Sequence, residues 1–86
     1  MASYELVFKK SVAKDLRALP SADVKRILQR IRALAHDPRP TGCEKLSGQE
    51  RYRVRQGAYR IVYEIEDSRL VVLVVKVGHR RDVYRN

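Results

Sequence analysis

The run LVVLVVKV at residues 70–77 limits the fold more than any other part of the chain. Branched aliphatic residues at nearly every position leave no polar face, so the segment reads as a strand buried on both sides. Its cover must come from a chain of 86 residues, which reads as a single domain spanning 1–86 near the size where one core becomes marginal. Upstream, Ser11 reads as the N-cap of a short helix in which Val12, Leu16 and Leu19 recur at helical spacing, and Pro20 ends it. Ser21 reads as the cap of a second helix, with Asp23 suited to the helix dipole and Val24, Ile27, Leu28, Ile31 and Leu34 as its apolar stripe. Asp37-Pro38 closes that helix, because the residue before proline is pushed out of helical geometry.

Strand candidates surround the helices. Tyr4, Leu6 and Phe8 alternate with Glu5, Val7 and Lys9 as a half-buried strand. A polar loop from Arg39 to about Glu50 precedes two alternating stretches, residues 51–56 and 58–66; the second sets Tyr59, Ile61, Tyr63 and Ile65 on one face. Residues 66–69 form the next turn, and Gly78 is expected to stop the last strand. The order β-α-α-β-β-β predicts an α+β domain, with two N-terminal helices packed on one face of a small, mainly antiparallel four-stranded sheet.

Charge narrows the partners. Lys+Arg 19 against Asp+Glu 10 gives a formal charge of +9, a field that suits nucleic acid, an anionic membrane or an acidic protein. A membrane role has little support, since the cations do not lie on an amphipathic helix with a bulky aromatic face. No apolar run approaches membrane-spanning length, and a cytoplasmic protein is expected. Cys43, the only cysteine, cannot form an internal disulfide, and with His36 and His79 it makes too small a ligand set for structural zinc. No metal and no cofactor are expected.

The stretch RYRVRQGAYR, residues 51–60, holds Arg51, Arg53, Arg55 and Arg60 without an acid. A turn at Gln56-Gly57 sets Arg53 across from Arg60, a turn at Gly57-Ala58 sets Arg55 there, and a three-residue loop breaks the pairing. Like charges directly opposite are destabilising, so an anion between them is a natural complement; the planar guanidinium fork matches phosphate oxygens. The plainer reading is a solvated face whose arginines pair with Glu50, Glu64 and Asp82. The tail adds His79, Arg80, Arg81, Tyr84 and Arg85. If the last strand neighbours residues 58–66, these gather near Arg60 as charge stabilisers, a proton-transfer group and a stacking surface, the parts phosphodiester chemistry needs.

The element order, the segment YRVRQGAYRIVYEI and the ending VGHRRDVYR, with KDLRALP in the first helix and KLSG before the hairpin, resemble the RelE family of bacterial type II toxins over essentially the whole chain. The resemblance implies a ribosome-dependent endoribonuclease that cuts mRNA in the decoding site, without metal, by attack of the ribose 2′-OH on the adjacent phosphorus. It implies that Arg60 and Arg80 stabilise the phosphate in the transition state and that Tyr84 stacks on or orients the nucleotide. Arg53 and Arg55 stand where some members carry lysines that serve the general base and leaving group. Lys45, Arg51, Arg81 and Arg85 would hold RNA around the site. Arginine does not give up its proton near neutral pH, so the lysine-base mechanism does not transfer. His79 is the residue suited to moving a proton, unless ribosome and RNA supply that step. An acidic, RelB-like antitoxin is the implied partner, through which the complex would bind operator DNA. The competing expectation is a ParE-type toxin, which shares the fold and inhibits DNA gyrase by protein contact.

Overall fold

The computed structural model describes residues 3–46 and 50–80. β1 (Glu5–Phe8), α1 (Lys10–Arg17) and α2 (Ser21–His36) come first; β2 (Glu44–Lys45), β3 (Arg51–Gln56), β4 (Tyr59–Glu66) and β5 (Val71–His79) follow, with a 3-10 turn at Asp67–Arg69. They form one five-stranded sheet of order β1-β5-β4-β3-β2. Only β1 and β5 run parallel; the other neighbours are antiparallel. The apolar run therefore lies inside the sheet, between β1 and β4. The α+β architecture is as expected, with five strands instead of four. The added strand, β2, is two residues long in a loop of turn-forming composition, and its pairing with β3 is what makes it a strand.

Neither serine caps its helix. Lys9 takes the cap position of α1, and Pro20 that of α2, without a side-chain cap at either. The Pro20 carbonyl accepts the N–H groups of Asp23 and Val24, each at 3.0 Å, so backbone starts the helix where a hydroxyl was expected. Val12, Ile27, Ile31 and Leu34 from the helices pack on Tyr52, Val54, Ile61, Tyr63, Val72, Val74 and Val77 from the sheet. Tyr4 and Leu6 join the margin of this core, but Phe8 is exposed at the end of an edge strand, against expectation. No described helix is long and apolar enough to cross a membrane.

Two polar devices fix this layer. β1 pairs with β5 only as far as Val74. Past that point Asp15 of α1 accepts the Val77 N–H at 3.2 Å and the Lys76 Nζ at 3.3 Å, satisfying a donor the edge would leave open. The second device ties the exit of α2 to the β4–β5 turn. The Tyr63 hydroxyl donates to the Pro38 carbonyl at 2.6 Å, and Tyr63 stacks on Tyr52 with centroids 5.9 Å apart. Arg39 lies 5.2 Å over the Tyr52 ring and donates to both Asp67 carboxylate oxygens, at 3.2 and 2.9 Å. Burial pushes the Tyr63 phenol well above its usual range.

Arg39, with the Tyr4 hydroxyl donating at 2.7 Å, holds the Asp67 carboxyl below its usual range. A carboxyl depressed in the folded state stabilises the fold above its unfolded pKa and loses that contribution as pH falls through the folded one. Asp67→Asn should therefore lower the urea midpoint at neutral pH, and the gap from wild type should close as acid protonates Asp67. A gap of constant size down the acid limb would reassign the loss to packing.

Candidate active site at the end of the sheet

The hairpin turn is Gly57-Ala58, with Gly57 at φ +59, the left-handed value a first central residue needs in a tight two-residue turn. Of the two registers open to the sequence, this one sets Arg55 opposite Arg60 and Gln56 opposite Tyr59. On the other flank of β4, Arg60 pairs with Gly78, a residue without a side chain. Arg60 is 3 % exposed and is the one buried charged residue among those described. Its position is fixed by the central strand, and its charge is little screened by water. Arg55, beside it, is exposed.

The other cations of the hairpin are matched by acids. Arg53 is 15 % exposed and donates to Glu44 at 2.8 Å, its register partner on β2. Arg51 reaches Glu64, its partner on β4, at 2.9 Å, and Lys45 reaches Glu50 at 3.5 Å. Of the arginine pairs expected, that with Glu64 is present, Glu50 pairs with Lys45 instead, and Asp82 lies outside the described residues; Glu44 adds a pair that required knowing β2 is a strand. These ion pairs lie toward the base of the hairpin, while Arg55 and Arg60 stand opposite each other at its tip.

A β-bulge decides what joins them. Tyr63 pairs with Val74 and Val62 with Lys76, leaving Val75 as an extra residue on β5. Strict alternation would carry the core face from Val72 and Val74 on to Lys76 and Gly78. The bulge re-aims the strand instead, so that Val77 and His79 follow on the helix side. His79 pairs with Tyr59, and their rings meet edge to face with centroids 6.0 Å apart. The same shift turns Gly78 toward the Arg60 face. Just past the strand end, the Arg80 N–H donates to the Ala58 carbonyl at 2.9 Å, which ties exposed Arg80 to the hairpin tip. Arg55 and Arg60 share one face of the sheet end, His79 stands on the other, and Arg80 follows at the strand end beside the hairpin turn.

Tyr84, Arg81 and Arg85 lie outside the described residues. The sequence reading also passed over Tyr59 and Asp23 as a pair. The Tyr59 hydroxyl donates to Asp23 Oδ2 at 2.8 Å, and that carboxylate holds the phenol above its usual range. Asp23, Arg26 and residues 56–59 line a half-open cleft of about 280 Å³ between the first turn of α2 and the hairpin tip. Among the described residues no cluster of His, Cys, Asp and Glu is arranged to hold a metal ion.

A family model described as ParE toxin of type II toxin-antitoxin system, parDE, matches residues 6–84. The chain belongs to the RelE/ParE toxin family. Among relatives of this RelE-like chain, the mRNA interferase toxin RelE of Escherichia coli is 30% identical over 81 residues, covering 91% of this chain and 84% of that protein. The putative toxin RelE1 of Methanocaldococcus jannaschii is 29% identical over 87 residues, covering 96% of this chain and 97% of the relative. Among solved structures, the archaeal RelE–RelB complex of Pyrococcus horikoshii superposes with a TM-score of 0.82 at 30% identity, covering 98% of this chain and 99% of that one. The RelE-like sheet and helices are thus those of toxins crystallised with RelB antitoxins.

Proposed function

We propose that this toxin is a metal-independent endoribonuclease that cuts mRNA in the decoding site of the ribosome. The observation that supports the reading is buried Arg60 opposite Arg55 at the end of the sheet, with Arg80 tied by its backbone to the adjoining turn, in a chain related to a protein named an mRNA interferase. Cleavage would proceed by attack of a ribose 2′-oxygen on the adjacent phosphorus. The bond from phosphorus to the 5′-oxygen of the next nucleotide breaks, leaving a 2′,3′-cyclic phosphate, and that oxygen takes up a proton. Arg60 and Arg80 stabilise the negative charge that builds on the phosphoryl oxygens, and protein cations can carry that charge without a metal. Arg55 holds the backbone beside them, with Arg53 giving weaker support because Glu44 competes for it. Lys45, Arg51, Arg81 and Arg85 add contacts to flanking phosphates, and Tyr84 stacks on a base.

Proton transfer falls to His79, since a guanidinium cannot take a proton near neutral pH. Because the bulge sets His79 across the sheet from Arg60, the imidazole has to reach past the strand end to the 2′-hydroxyl beside the phosphate that Arg60 holds. An acidic antitoxin of the RelB kind would neutralise the basic surface, and the complex would reach operator DNA through the antitoxin. The toxin works in the cytoplasm, where its substrate is.

Programmed ribosomes, with mapping of the mRNA ends, test the reading. Wild type should cut within the A-site codon and leave a cyclic phosphate, and Arg80→Ala and Tyr84→Phe should each slow it. His79→Gln should lower the rate about 100-fold, the lower range for a lost acid–base group. Cutting at the wild-type rate would end the histidine role. No cutting, with gyrase supercoiling blocked, would favour the ParE-type alternative.

A further inference from the structure

Among the described residues three large apolar side chains stay exposed, and all of them lie at one border of the sheet. Val7 and Phe8, 39 and 41% exposed, belong to β1. Leu70, 40% exposed, supplies the carbonyl on which the pairing of β1 with β5 begins. Single apolar residues scattered over a surface need no explanation, but a group gathered along one strand edge marks a contact.

The backbone defines what that contact can be. The Glu5 and Lys9 N–H groups donate to the Leu70 and Val74 carbonyls at 2.7 and 2.9 Å, so the odd residues of β1 face β5. Successive residues of a strand turn their backbone groups to opposite sides. Leu6 and Phe8 therefore point N–H and C=O outward, and neither finds a backbone partner among the described residues. Tyr4, the even residue before them, is already engaged, its N–H donating to the Ala35 carbonyl at the end of α2 at 2.8 Å. An open edge of this kind is a template for another strand. A second copy of β1 fits it closely. Set antiparallel with Val7 on a two-fold axis, Leu6 lies opposite Phe8 of the second copy, and their outward groups satisfy one another. Glu5 then lies opposite Lys9 at both ends of the contact, where facing side chains of unlike charge attract. Other registers fit worse. Sliding one way sets Phe8 against Tyr4, whose N–H is taken, and sliding the other sets Leu6 against Lys10, which is helical. Either slide also parts Glu5 from Lys9.

We propose that β1 is a docking edge for a second copy of this chain, joining two sheets into one through an isologous strand pair centred on Val7. The axis stands perpendicular to the sheet, so the helices of both copies lie on one side and both Arg55–Arg60 faces on the other. Leu6 and Phe8 of the two copies cover one another on the helix side, and the Val7 side chains meet on the reverse. The formal charge of +9 on each copy opposes the approach, and at physiological salt that repulsion is screened beyond about 8 Å. So short a strand pair falls below the size of a permanent interface, and the dimer forms and dissociates with concentration.

Sedimentation velocity on the full chain over a concentration series tests the contact, with Glu5→Lys and Lys9→Glu at exposed positions. Wild type should pass from monomer to dimer as concentration rises. Each variant alone sets like charges opposite one another at both ends and should weaken association by about tenfold or more. Mixed in equal amounts, the two variants regain both unlike pairs, and the mixture should dimerise as wild type does. Hydrogen exchange at the Leu6 and Phe8 amides should slow in the dimer, whereas the Tyr4 amide, already bonded, should change little. A wild type that stays monomeric into the millimolar range, or a mixture no better than either variant alone, would overturn the proposal. Slowed exchange at Leu6 and Phe8 only on addition of an acidic antitoxin would assign the edge to that partner and overturn it too. None of these readouts depends on RNA cleavage, so the dimer and the nuclease reading stand or fall separately.

Discussion

Replacing Arg60 by lysine is expected to slow single-turnover cleavage of ribosome-bound mRNA by about 10²- to 10³-fold, the usual cost of one lost transition-state donor. The substitution keeps a cation on β4 but removes the planar fork that can meet two phosphoryl oxygens at once. Position makes the effect large. Arg60 is held in the central part of the sheet, buried, with Arg55 on one flank and Gly78 on the other. A group fixed in this way needs no reorganisation when charge develops beside it. Arg55, exposed on β3, should give a smaller loss when changed in the same way. The control is urea unfolding, which should show Arg60→Lys still fully folded under the cleavage conditions even where its midpoint falls. A cleavage rate within a few-fold of wild type would take Arg60 out of the transition state.

The neighbouring side chain should behave in the opposite way. Ile61 is fully buried on the reverse face of the same strand, within the cluster that holds Ile27, Ile31 and Tyr63. Ile61→Ala removes buried methyl groups and leaves a cavity, at a cost of about 2–5 kcal/mol. Small domains have only about 5–15 kcal/mol to lose, so a large fraction of the variant should unfold on warming. Urea titration should show the midpoint fall with little change of slope, and the surviving folded fraction should cleave at the wild-type rate per molecule. A loss below about 1 kcal/mol would mean that the helix layer closes over the gap. Adjacent residues on one strand thus separate chemistry from stability, because alternation points one to each face.

This alternation also marks how far the sequence could be read. The helix stripes, the hairpin and the buried run are carried by periodicity, and periodicity survives into the structure. Register stayed open among two two-residue turns and a longer loop, and the choice needed Gly57 to take the left-handed value. Glu44 was invisible as a partner of Arg53 because two residues in a polar loop have no strand pattern of their own. The helix starts were misread because serine is a good cap on average, whereas here Lys9 and Pro20 occupy those positions. The face of His79 was hidden most deeply. In a run of valines, a single extra residue at Val75 leaves no compositional trace, yet it reverses which side every later residue takes. The Tyr59–Asp23 contact spans the helix layer and the sheet, a distance in sequence that no local motif records.

The parallel pairing of β1 with β5 has a consequence in time. β1 emerges early in synthesis, but its only strand partner is Val71–Val74, made after every other element but the last half of β5 itself. Until then the segment that should sit at the sheet edge has nothing to close against, and such distant pairings form slowly. Arg60 meets Gly78 still later. On the ribosome-cutting function proposed above, the arginine site stays incomplete until β5 has been made, which leaves an interval for a separately made inhibitor to be waiting.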